Sequence, residues 1–134
     1  MRPTPPRQVK TGERGTATVE FALILPLLLL VLLALVQTAI FVRDRLLVES
    51  ATHAAVRAAA VQLEETAVRE AVQAAAPGLD PAALGVVVER GGTRGDPVKV
   101  SVSYPALVRV PMIAWLLPSG ITMHAEATAR QEFG

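Results

Sequence analysis

The chain has 134 residues, enough for one small folded unit besides a single apolar segment. Half of it is hydrophobic (51%), the mean hydropathy is +0.42 and the net charge is only +1, so nothing resembles the basic footprint of a nucleic-acid binder. Cysteine is absent, which excludes disulfides and thiolate metal sites.

Residues 1–15 carry Arg2, Arg7, Lys10 and Arg14 with Pro3, Pro5 and Pro6, and little that could be buried. Such a stretch is expected to be disordered, with Gly12 and Gly15 adding backbone freedom. Phe21 to Val42 then contains no charged residue, and Gln37 and Thr38 are its polar interruptions. As a helix these 22 residues would measure roughly 33 Å at ~1.5 Å per residue, against about 30 Å for a bilayer's hydrocarbon core. There is no polar stripe, so the run reads as one membrane-spanning helix over 16–42, starting near Thr16 to Val19. Pro26 lies inside it and predicts a bend over Ala22 to Pro26. The basic head places the N-terminus in the cytoplasm and the rest outside, although Arg43, Arg45 and Arg57 soften the asymmetry. A secretory signal would have a shorter apolar core of ~7–15 residues and a small-residue cleavage site after it.

Beyond Val42 the pattern becomes amphipathic. Leu47, Ala51, Ala54, Ala58, Val61, Val68 and Val72 recur at spacings of three and four, and no Gly or Pro intervenes before Pro77-Gly78. The spacing predicts one helix from about Val19 to about Ala76, with Arg45/Glu49 and Glu65/Arg69 as i,i+4 pairs. Its many alanines keep one face thin, so that another element can approach closely. Asp80-Pro81-Ala82-Ala83-Leu84 predicts a short helical turn capped by Asp80. Val86 to Arg90 is a β-rich run, and Gly91 to Pro97 a hairpin loop lacking the Gly-Lys-Ser/Thr ending of a phosphate loop. Val98 to Tyr104 and Ile121 to Arg130 both alternate. Val98, Val100, Val102 and Tyr104 share one face, as do Ile121, Met123, Ala125, Ala127 and Ala129. Three antiparallel strands packed on the outer half of the long helix bury all these apolar faces at once, giving an α+β unit over 43–134. Met112 to Leu117, with Trp115, reads either as a loop over the core or as a membrane or partner contact.

The candidate functional residues lie at the head of the apolar run. Gly15 reads as a flexible joint or a cleavage point. Glu20 reads as a first-turn acid favoured by the helix dipole, or as a carboxylate needing a partner. His53 and His124 have no cluster of ligands at metal spacing, and the serines have no base and acid beside them in a recognisable motif. Neither a cofactor nor a reaction is expected.

Arg14-Gly15-Thr16-Ala17-Thr18-Val19-Glu20-Phe21-Ala22-Leu23-Ile24-Leu25-Pro26 resembles the processing region of type IV pilin-like precursors, and most of all TadE-like proteins, minor pseudopilins of tight-adherence pilus systems. The Ser-Tyr-Pro strand end, apolar loop and Thr/Ala-rich last strand are similar too. The resemblance implies that a prepilin peptidase cuts between Gly15 and Thr16, with Phe21 either aiding recognition or simply lying in lipid. It implies that Glu20 becomes the fifth residue of the mature chain and accepts the new amine of a neighbouring subunit. Membrane lipid, the pilus platform and other pilin-like subunits are the implied partners, and the bacterial cytoplasmic membrane is the implied location. Two other readings remain open here: a signal-anchored extracytoplasmic binding domain, and a pseudopilin of a secretion or DNA-uptake system. A tethered enzyme is disfavoured by the missing catalytic constellation.

Overall fold

A computed structural model describes residues 13–106 and 120–132. Helix α1 spans Glu13–Val61 and helix α2 spans Glu65–Ala75. A 3-10 turn at Pro81–Ala83 precedes strands β1 (Gly85–Arg90), β2 (Pro97–Pro105) and β3 (Thr122–Arg130). The strands form one antiparallel sheet in the order β1-β2-β3. The α+β architecture expected from the sequence is therefore present. Met1 to Gly12 and the Met112 to Leu117 patch lie outside the described residues.

Two expectations about the helices are corrected. First, α1 begins at Glu13, so Gly15 is helical and does not belong to an extended leader. Pro26, where the sequence predicts a bend, lies inside this single helix. Second, the helix does not continue to Ala76. It stops at Val61, and α2 folds back against it after Gln62-Leu63-Glu64. The reason is a match of lengths. From Arg43 to Val61 α1 rises about 28 Å, close to the roughly 30 Å of the nine-residue strands β2 and β3. A straight continuation would overhang the sheet with Val68 and Val72 in water. Width matters too, because α1 packs mainly on β2 and β3. Folding back brings Val68 and Val72, both buried and one turn apart on α2, near Val86, and Val68 near Val88 as well. Arg90 donates from Nη1 to the Leu63 carbonyl at 3.0 Å, and Glu132 N–H to the Ala60 carbonyl at 3.1 Å, so the sheet's far end holds the break.

The core is built from small and β-branched residues. Val98, Val100, Val102 and Tyr104 of β2 are fully buried against Val48, Ala51, Ala55 and Ala59 of α1. The buried stripe thus sits one residue later than the spacing suggested over part of its length. Val61 is 53% exposed because it falls at the helix end, past the sheet. Met123 is buried and Ala125, Ala127 and Ala129 pack at the margin of the core as expected, while Ile121 is exposed. Thr52 is tolerated in the core because its hydroxyl donates back to the Val48 carbonyl at 2.7 Å. Asp80 caps the short turn as expected, accepting from Ala82 N–H at 3.0 Å. The β1–β2 connection is a hairpin loop, in which Asp96 Oδ2 accepts from both the amide and the hydroxyl of Thr93 at 2.9 Å.

Candidate functional site

The sequence-predicted site residues all lie on the first three turns of α1, at the end remote from the sheet. Gly15 is exposed, with no atom near the position that a side chain would occupy. Thr16 and Glu20 are one turn apart and therefore share a side of the helix. Glu20 is exposed, and Phe21 beside it is 62% exposed. Above them, as far as Val36, the apolar run is largely exposed. Leu23, Ile24, Leu27, Leu32 and Leu35 all stand more than half exposed. A folded surface rarely shows so much contiguous apolar area unless lipid or another protein covers it. Within Gly15–Val61 lies a window of mean hydropathy 2.9, none of it buried, in a helix long and apolar enough to cross a membrane.

Where the apolar run ends, the helix is fastened to the folded unit. Arg43 pairs with Asp44 at 3.1 Å and donates to the Pro77 carbonyl at 3.4 Å. Its guanidinium lies over Gly78, whose φ of +89° and lack of a side chain permit both the turn and the approach. The sequence marks Arg43-Asp44-Arg45 as the exit from lipid. It did not reveal that the Asp44 side chain is 1% exposed. The missed signal is phase, since Asp44 continues the Val48, Ala51, Ala55 stripe by one more turn, and Gln37, also buried, extends it further.

The two histidines, distant in sequence, share one place. Arg45, Glu49, Thr52 and His53 of α1 and His124, Ala125 and Glu126 of β3 line one polar cleft of about 330 Å³ at the edge of the sheet. Both glutamates are engaged, Glu49 with Arg45 at 3.2 Å and Glu126 with Lys99 at 2.9 Å. The expected Glu65/Arg69 ion pair is absent among the described residues, whose ion pairs are those of Arg43, Arg45 and Lys99. The hydrogen bond and charge of Glu126 raise the pKa of Lys99, and those of Lys99 lower the pKa of Glu126. Ser101 Oγ donates to Glu126 at 3.3 Å. Among the described residues no group of three or more His, Asp or Glu is placed to hold a metal ion. The arrangement offers charge and hydrogen bonding rather than an evident catalytic geometry.

Residues 15–57 match the family model described as TadE-like protein, close to a third of the chain. The matched stretch begins at Gly15, takes in Glu20 and the whole exposed apolar run, and ends within the part of α1 that carries the sheet. No curated protein and no solved structure matches the chain.

Proposed function

We propose that this chain, a TadE-like protein by the match over residues 15–57, is a membrane-anchored minor pseudopilin that serves as a structural subunit in assembling a tight-adherence, type IV-like pilus. The observation that carries the reading is a coincidence of place. The family match starts at the exposed Gly15, and the helix it covers leaves its apolar surface bare from Val19 to Val36. In this reading residues 1–15 are a cytoplasmic leader, 16–42 cross the cytoplasmic membrane, and 43–134 form the extracytoplasmic unit. Residues 1–15 are removed by a prepilin peptidase that cuts between Gly15 and Thr16. Because Gly15 is helical, the first turn of α1 must unwind to reach a protease site, and glycine lowers the cost of that by about 1 kcal/mol relative to alanine.

Once cut, Thr16 carries a free amine and Glu20 is a carboxylate near the lip of the lipid. A lone carboxylate is costly there, and an amine from a neighbouring subunit relieves the cost. The work of the protein is assembly, not catalysis. Its partners are lipid, the peptidase, the pilus platform and other pilin-like subunits. Two measurements test this. Mass spectrometry of the protein from its own membrane is expected to give an N-terminus at Thr16. Glu20→Ala is expected to leave processing and membrane insertion intact while lowering recovery with the pilus apparatus at least tenfold, as loss of a partly buried ion pair worth more than ~1.4 kcal/mol would do. A mature chain that keeps Gly15, or a Glu20→Ala variant recruited normally, refutes the reading.

A further inference from the structure

Among the described residues, nothing pairs with the outer edge of either β1 or β3. Ala106 N–H donates to the Ile121 carbonyl and Gln131 N–H to the Asp96 carbonyl, which fixes the phase of the β2–β3 ladder. Stepping by two residues, the odd-numbered residues of β3 bond to β2, and His124, Glu126, Thr128 and Arg130 turn their amides and carbonyls outward. Gly91 N–H to the Pro97 carbonyl sets the other ladder in the same way, so that Val86, Val88 and Arg90 of β1 face outward. None of these outward backbone groups in β1 or β3 bonds to another described residue. Proteins usually shield such edges with charge, proline or a bulge, yet β1 reads Gly-Val-Val-Val with Val87 58% exposed.

A shared membrane limits which edges can meet. If α1 anchors every copy, as proposed above, all copies stand upright in the same direction and at the same height. Pairing β3 with β3 in antiparallel fashion would point the second copy's anchor away from the bilayer. β1 and β3 both run antiparallel to β2, so they run parallel to each other. A copy displaced sideways therefore brings its β1 alongside β3 in parallel, and in phase. Glu89 and Thr128 both pair with Lys99, so they stand at one height. With Glu89 of the neighbour opposite Thr128, Val87 falls opposite Glu126, outer-face side chains meet outer-face side chains, and the outward backbone groups alternate as a parallel ladder requires.

Glu89 and Arg130 each lack an ion pair among the described residues, and this placement makes the incoming Glu89 a diagonal neighbour of Arg130; its other diagonal neighbour, Glu126, is already neutralised by Lys99. The polar cleft flanked by Arg45, Glu49 and His53 lies at the same edge and leaves room for the incoming strand's inward side chains.

We propose that the outer edge of β3 receives β1 of a second copy of this chain, in parallel and at equal height. Such a head-to-tail contact does not close on itself, so it extends the sheet from copy to copy.

The test uses the full chain in its membrane, and the lack of native cysteine makes it clean. Glu89 and Thr128 are exposed and, within one copy, lie two strands or roughly 10 Å apart, too far for a disulfide. The double variant Glu89→Cys/Thr128→Cys is expected to oxidise to a series of dimers, trimers and longer species. Either single variant is expected to stay monomeric, and a mixture of the two to give dimers. Thr128→Cys dimerising alone, or a double variant that stays monomeric, overturns the contact. In the unsubstituted chain, amide exchange at Val86, Val88, Glu126 and Thr128 is expected to slow roughly tenfold between detergent-dispersed and membrane-dense protein, and equal rates overturn the contact as well. A chain processed at Thr16 that forms no cross-link defeats this contact while leaving the pseudopilin reading intact.

Discussion

Lys99 and Glu126 show what single side chains contribute on the outer face of the sheet. They are diagonal neighbours on β2 and β3, 2.9 Å apart and in water. Each shifts the other's titration toward the charged form, lysine upward and glutamate downward. The sign of the pH effect follows. The lowered glutamate contributes stability above its unfolded-state pKa and loses it as pH falls through its folded value. The raised lysine contributes below its unfolded-state pKa and loses it as pH rises through its folded value. The pair therefore adds stability only between the usual glutamate and lysine ranges. Lys99→Met is expected to lower the Tm at pH 7 by about a degree or two, since exposed pairs are screened. That gap should close as the solution is taken below the folded pKa of Glu126 or above that of Lys99. A gap that stays constant with pH would mean that Lys99 acts through packing alone.

Among the elements, the strands were legible and the helix break was not. Alternation in Val98 to Tyr104 exposes the period of two directly, and all four predicted inward residues are fully buried. Asp80-Pro81 announces its turn through cap chemistry that acts within three residues. The end of α1 has no such local sign. Gln62, Leu63 and Glu64 are all acceptable in a helix, and the chain turns there because the sheet has run out. Only tertiary length-matching decides that. At the site, Gly15, Glu20 and the bare apolar run could be read from composition and order. That His53 and His124 line one cleft could not, because 71 positions separate them, with α2, β1 and β2 in between. A pair of substitutions distinguishes the broken helix from a continuous one. Val61→Ala is expected to cost less than ~0.5 kcal/mol, as an exposed site should. Val68→Ala, at a side chain with 0% exposure, is expected to cost about 2 kcal/mol from lost burial plus a cavity. Equal costs in chemical denaturation of the detergent-solubilised chain would restore the single stripe.

At the scale of the whole molecule, the question is which side of the membrane the sheet occupies. Charge counting gives four basic residues ahead of the apolar run and Arg43, Arg45 and Arg57 soon after it. Structure sharpens that narrow margin. Arg43 is held by Asp44 and by the Pro77 carbonyl, and Arg45 by Glu49, so both are built into the folded unit. The head's charges belong to a stretch with few apolar residues and three prolines. An orientation that kept the head inside would retain Arg2, Arg7, Lys10 and Arg14 in the cytoplasm, where basic residues next to a span are favoured. The reverse orientation would drag them across while the sheet stayed behind. Ser50 is exposed on α1 two turns past the apolar run and, with no native cysteine, serves as a reporter. Ser50→Cys is expected to react with a membrane-impermeant maleimide in right-side-out vesicles and to be protected in inverted ones until detergent is added. Labelling in the inverted vesicles alone would put the sheet in the cytoplasm, out of reach of any filament outside, and the pilus reading would fall with it.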